Sequence, residues 1–150
     1  APHVVSDSHL REILDKVKRP CIRYTEATEE NVTQADCLII DCYGLLSSIY
    51  RYGEISYIGG GFGVGIHNVL EAAVYGIPVI FGPNNKKFRE AQHLLEQKGG
   101  FEVTGYDDFK RLMDKFLSDE AYLQQAGKAA GNYVNHNAGA LEKIMKDITL

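Results

Sequence analysis

The sequence predicts an α/β fold: a parallel sheet covered by helices on both faces. Three observations carry this. Short apolar runs alternate along the chain with segments of helical periodicity. The joins are short and punctuated by glycine and proline. Five of the 15 glycines crowd between residues 59 and 65, directly after one apolar run and before a helical segment. A length of 150 residues suits a single domain, and residues 1–150 are read as one.

The elements follow in order. Leu10, Ile13, Leu14 and Val17 give residues 9–17 a helical stripe, which Pro20 ends. Residues 21–24 read as a short strand. Residues 35–41 end in a compact apolar run, as a strand buried on both faces does. A short helix is expected over 44–52 and a strand over 55–58, with the glycine cluster directly after it. Residues 67–75 read as a helix closed by Gly76, with Pro78 just beyond. A strand over 77–81 turns at Gly82-Pro83. Residues 88–98 form the next helix, closed by Gly99-Gly100, and 101–103 the next strand. Asp107 or Asp108 is expected to cap a helix running to Leu117, and Ser118 the one after it, from Ala121 to about Asn132. A last amphipathic helix is expected over 138–148.

Composition excludes several classes. Hydrophobic residues make up 45% of the chain, enough to bury a core, so disorder is excluded as the main state. The formal net charge of −4 argues against a protein built to coat nucleic acid, and no nucleic-acid partner is expected. The three cysteines, Cys21, Cys37 and Cys42, form neither a CxxC pair nor an even set, so no disulfide framework or zinc site is suggested. Buried free thiols, and with them a reducing cytosol, are the expectation. No apolar run reaches the length of a membrane span. The chain starts at Ala1 within a segment that already reads as structural, which suggests a piece of a larger protein.

The glycine cluster is the strongest functional signal. In a parallel α/β sheet the segment Ile58-Gly-Gly-Gly-Phe-Gly-Val-Gly-Ile-His-Asn-Val-Leu-Glu71 lies at the carboxyl edge of a strand, where ligands bind. Glycines let backbone approach a ligand closely, and the N-terminus of the following helix favours an anion such as phosphate. The loop is neither a Walker A motif nor a clean GxGxxG. A structural role stands beside the functional one: Asn68 as N-cap with Glu71 three residues on is a capping box that needs no ligand. His67 and Asp41 read first as structural residues. Lys86 and Lys87 read as a solvated pair on the same sheet edge, able to neutralise an anion. No serine nucleophile elbow, no HExxH and no spaced acid–base pair occurs. The residues by themselves give a half-site for a nucleotide or sugar phosphate, with no chemistry attached.

Four motifs in order add to this: Asp41-Cys-Tyr-Gly-Leu-Leu46, Ile58-Gly-Gly-Gly-Phe62, His67-Asn-Val-Leu-Glu-Ala-Ala73 and Gly76-Ile-Pro-Val-Ile-Phe-Gly-Pro83. Together they resemble the C-terminal, donor-binding half of the 3-deoxy-D-manno-octulosonate (Kdo) transferases. Pro2-His3 and Asn137-Ala-Gly-Ala-Leu141 resemble further family segments. The resemblance implies one Rossmann-like half of a GT-B glycosyltransferase, taking Kdo from CMP-Kdo to a lipid A precursor in lipopolysaccharide synthesis. It implies that Tyr43, Gly44 and Leu45 lie against the cytosine, that Gly60 and Gly61 admit the donor, that Asn68 faces the CMP phosphate and that Glu71 accepts from the ribose hydroxyls. No catalytic residue is assigned to this chain. The base, the lipid acceptor site and the membrane anchor are implied in an N-terminal half, on the cytoplasmic face of the inner membrane, and the fragment alone is expected to be soluble and inactive. The implied reaction inverts the anomeric centre and uses no metal or other cofactor beyond the donor CMP-Kdo. This sequence departs from the family at Ile66, Ala72 and Leu45, where Gly, Pro and Glu are usual, and at Pro2-His3, where many members have Pro-Arg-His. A GT-B enzyme using a UDP-sugar (a glycosyltransferase or 2-epimerase) and a flavodoxin-like binding module are the alternatives.

Overall fold

The computed structural model describes residues 1–2 and 5–139. They fall into two compact units, the first within Ala1–Ile49 and the second within Tyr50–Leu150. The strands accordingly form two parallel ladders, one in each unit.

In the first unit, helix α1 (Asp7–Lys16) starts at Ser6, whose hydroxyl accepts from the His9 N–H at 3.4 Å. Strands β1 (Cys21–Arg23) and β2 (Cys37–Ile39) pair in parallel, Cys21 opposite Cys37 and Arg23 opposite Ile39. The Pro20 carbonyl starts the ladder by accepting from both Asp36 N–H (2.9 Å) and Cys37 N–H (3.1 Å). Ile39, Ile40 and Asp41 are buried, but Leu38 in the middle of β2 is 40% exposed, so the strand is not buried on both faces as expected. One helical turn, α2 (Leu46–Ile49), follows. The helix expected over 44–52 is thus divided: residues Tyr50–Tyr52 form a 3₁₀ turn that belongs to the second unit.

The second unit is built on β3 (Ser56–Ile58), β4 (Val79–Phe81) and β5 (Gly100–Glu102), all parallel with β4 in the middle. All three residues of β4 are fully buried, and alternation along the strand sends them to opposite faces. Val79 and Phe81 join a cluster with Ala72, Ala73, Ala91 and Leu94 from α3 (Leu70–Ala73) and α4 (Arg89–Glu96). Ile80 joins Val103, Phe116 and Ala126, the last two from α5 (Tyr106–Ser118) and α6 (Glu120–Asn137). Helices therefore cover both faces of this sheet, as predicted. The buried Ser56 hydroxyl donates to the Pro78 carbonyl at 2.9 Å, so the polar group inside is satisfied.

Helix α3 is shorter than the predicted 67–75. At its start the His67 N–H is drawn to the Gly59 carbonyl (3.1 Å), and at its end Tyr75 and Gly76 bond three residues back, to Ala72 and Ala73, which tightens the last turn. Gly76, at φ +70, then stops it. Helix α6 crosses this end so closely that a Cβ on Gly127 would sit 2.2 Å from the Gly76 carbonyl oxygen.

Two expected caps are corrected. Helix α5 begins after Gly105, with Asp107 and Asp108 inside its first turn. Asp108 instead accepts from the Thr104 N–H (3.1 Å) and hydroxyl, reaching back across the helix start. Asp119, not Ser118, caps α6 by accepting from the Tyr122 N–H at 3.0 Å, because a carboxylate is at least as good an acceptor there and the Ser118 hydroxyl donates to Lys115 at the end of α5. Helix α6 runs on to Asn137, five residues past its predicted end; the last expected helix falls almost wholly on residues 140–148, outside the described part, as do His3 and Leu141 of the motif segments.

Candidate functional site

The loop after β3 is held by its own backbone. The Gly60 carbonyl accepts from Gly63 N–H (2.9 Å) and Gly65 N–H (3.3 Å). Gly60 has φ +86, and a Cβ there would lie 2.2 Å from the Gly65 oxygen. Gly61 is buried against Gly82 in the turn after β4, where a Cβ would meet the Gly82 nitrogen at 2.6 Å. Two more bonds tie the loop to that turn: Asn84 N–H to the Gly61 carbonyl (2.9 Å) and the Asn84 side-chain amide to the Gly63 carbonyl (2.5 Å). The closest approaches that Gly60 and Gly61 permit are therefore to the chain itself.

Asn85 holds the partner turn in place. Its side chain is almost fully buried, donates to the Gly82 carbonyl (2.9 Å) and to Glu102 (2.6 Å), and accepts from Gln92 (2.6 Å). Sequence reasoning passed over Asn84 and Asn85; the signal was two asparagines directly after Gly82-Pro83, a turn rich in side-chain acceptors.

The loop leads into the Asn-x-x-Glu segment. His67 lies over the glycines, its ring 3.4 Å from where a Gly60 Cβ would stand. Asn68 acts as a cap: its carbonyl oxygen accepts from the Leu70 N–H at 3.0 Å, and Val69 already has helical dihedrals. Its amide donates to Glu71 Oε1 at 3.1 Å. This is a capping box changed in two respects: Asn68 accepts from the Leu70 N–H where a full box would take that of Glu71, and Glu71 reaches the Asn68 side chain where a full box would take the backbone N–H. Asn68 is exposed and Glu71 half-buried, so the pair stays open to a ligand while it closes the helix. Tyr50 stands near it: burial first, then the Glu71 charge, raises its hydroxyl above the ordinary value.

Two hollows border the loop within this unit. Val64 helps line one of 590 Å³ with Asn84, Lys86, Lys87, Phe88 and Glu102, which puts the lysine pair beside the glycine loop as the sequence suggests. Phe62 helps line another of 390 Å³ with Tyr57, Val103, Tyr106 and Phe109, an aromatic wall in which Tyr57 meets Phe109 edge to face. Among the described residues no group of three His, Cys, Asp or Glu could hold a metal ion.

Of the seven predicted binding residues, Gly60, Gly61, Asn68 and Glu71 lie in the second unit. Tyr43, Gly44 and Leu45 lie in the first, in the turn after β2, with Tyr43 well exposed and Gly44 at φ +87. That turn starts at Asp41, whose buried carboxylate accepts from the Thr25 hydroxyl (2.6 Å), the Thr25 N–H (3.0 Å) and Arg23 Nε (2.7 Å). The Thr25 hydroxyl, then its N–H and Arg23, hold the Asp41 carboxyl down to about 2. Asp41 fastens β1 to β2, the structural role expected of it.

No protein-family model matches the chain. Curated proteins align along nearly all of it. The 3-deoxy-D-manno-octulosonic acid transferase of Rickettsia felis is 28% identical over 149 residues, 93% of this chain and 31% of that protein. The chain is a relative of the Kdo transferases. The enzyme of that name from Aquifex aeolicus is 37% identical over 87 residues, 57% of this chain and 25% of the relative. The chain thus spans about a third or less of the length of these Kdo transferases. In fold it resembles the crystal structure of the C-terminal CMP-Kdo binding domain of WaaA from Acinetobacter baumannii, with a TM-score of 0.68 and 18% identity over 85% of this chain and 67% of that one. That likeness fixes the α/β fold of parallel sheets flanked by helices.

Among the described residues no helix is long and apolar enough to cross a membrane.

Proposed function

We propose that this chain is the donor-binding part of a Kdo transferase, a glycosyltransferase that takes Kdo from CMP-Kdo. The alignment with proteins of that name over 93% of the chain carries the reading. The Asn68–Glu71 pair beside the glycine loop supports it: a carboxylate suits the paired hydroxyls of a ribose, and a side-chain amide suits a phosphate oxygen. The roles are assigned residue by residue. Glu71 accepts from the ribose hydroxyls, Asn68 donates to the phosphate, and Gly60 and Gly61 shape the loop that admits the donor. Tyr43, Gly44 and Leu45 are assigned to the cytosine.

The lipid A precursor as acceptor, the base that activates its hydroxyl, and association with the inner membrane are proposed for the parts of the Kdo transferases that this chain does not span. The donor is proposed to bind without a metal.

Titration with CMP and with UMP, followed by amide chemical shifts, tests the reading. CMP is expected to bind more tightly and to move the resonances of residues 60, 61, 68 and 71. Equal affinities would favour a uridine-nucleotide enzyme, and shifts elsewhere would remove these residues from the site. Adding a chelator should leave the CMP affinity unchanged; a loss would overturn the metal-free assignment.

A further inference from the structure

Cys21 and Cys37 are partners in the first rung of the β1–β2 ladder. Register partners on neighbouring parallel strands carry their side chains on the same face, with backbones roughly 4.8 Å apart. That lies inside the window of about 4.4–6.8 Å between Cα atoms that a disulfide spans. Both residues are partly exposed, so a small reagent can reach them. Their rung is the end of the ladder, where the Pro20 carbonyl shared between Asp36 and Cys37 is the starting contact and the strands have least to hold them apart. The Cys21 thiol donates to the Arg19 carbonyl at 3.2 Å, an acceptor it can leave without burying an unmet charge. The two sulfurs sense each other: burial, then the hydrogen bond and charge of Cys37, then Asp36, raise the Cys21 thiol. Cys42 is the third free cysteine and lies beyond the paired residues of this ladder.

We propose that Cys21 and Cys37 form a dithiol modification site that closes reversibly to a disulfide across the two strands when a small-molecule disulfide such as oxidised glutathione is present. One thiolate of the pair attacks a sulfur of the reagent, forming a mixed disulfide and releasing one glutathione thiolate. The second thiolate then attacks the protein sulfur of that mixed disulfide and releases the other glutathione. The pair loses two electrons and two protons, and one reagent disulfide is reduced to two thiols. Because the Cys21 thiol is raised, closure runs faster at mildly alkaline pH.

The test uses the 150-residue chain, treated under native conditions at about pH 8.5 with oxidised glutathione, then blocked with an alkylating reagent and weighed intact. The expected product is about 2 Da lighter before alkylation, takes up the blocking group on Cys42 alone, and yields one linked peptide joining Cys21 to Cys37. Cys42→Ser should close equally well, while Cys21→Ser should stop at the mixed disulfide. Dithiothreitol should restore all thiols. A persistent mixed disulfide on the unaltered chain, a linked peptide containing Cys42, or dimers between chains would overturn the proposal. So would equal yields of all three pairings that do not change when the chain is unfolded in urea.

Discussion

Two carboxylates follow strands in this molecule, and the fold treats them oppositely. Asp41, after β2 in the first unit, is wholly buried and takes three hydrogen bonds, from the Thr25 hydroxyl, the Thr25 N–H and Arg23. Glu71, after the β3 loop in the second unit, is half-buried and takes one, from Asn68. A carboxylate whose acceptor sites are filled from within serves the fold. One that is positioned by a single amide and left in reach of solvent can serve a ligand. The count of internal donors separates the two.

The comparison can be broken most forcefully at Asp41. Asp41→Asn should give the largest fall in unfolding midpoint, because it leaves Arg23 buried in part without its partner and disturbs the Thr25 contacts. Its pH dependence carries the same information. The Asp41 carboxyl titrates near 2 when folded and near its ordinary 3.8 when unfolded, so its contribution is complete above about pH 4 and is lost as pH falls toward 2. Thermal melts between pH 2 and 6 should show an acid limb that flattens in Asp41→Asn. CMP affinity measured well below the melt should fall less than in Glu71→Gln.

Gly60→Ala should come next. Its φ of +86 and the Gly65 oxygen 2.2 Å from the new methyl group should cost about 1–3 kcal/mol in denaturant titrations. If stability is untouched, the loop is not held as described. Asn68→Ala should cost about 1 kcal/mol, the worth of a cap, and should also weaken CMP binding. Glu71→Gln should be the smallest in stability, within about 0.5 kcal/mol, yet should lower CMP affinity about tenfold, as loss of a charge-assisted bond does. If Glu71→Gln falls as far in stability as Asp41→Asn and leaves CMP affinity unchanged, the contrast between them is gone.

Much of the fold was legible because its signals are local. The apolar run through Val79, Ile80 and Phe81 between Pro78 and Gly82 announces a strand, and Gly99-Gly100 the end of the next helix. The caps of α5 and α6 were misplaced because neighbouring Asp and Ser residues compete for one position, and only the backbone decides among Gly105, Asp107, Ser118 and Asp119. The short α3 arises from a backbone contact, the His67 N–H to the Gly59 carbonyl, which periodicity does not record. In the site, Asn68 and Glu71 could be read because a cap has a fixed spacing. Asn85 could not, since its worth depends on Gly82, Gln92 and Glu102 converging on it.

The seam between the glycine loop and the turn after β4 has a thermodynamic consequence. With Gly61 against Gly82 and Asn84 bonded to both Gly61 and Gly63, the loop is ordered before any nucleotide arrives. A flexible glycine loop would lose backbone entropy on closing around a phosphate, and that loss would weaken binding. Here the ordering is done by folding. Hydrogen exchange should therefore find the Asn84 and Gly63 amides slow in the ligand-free chain, and barely slower once CMP is added.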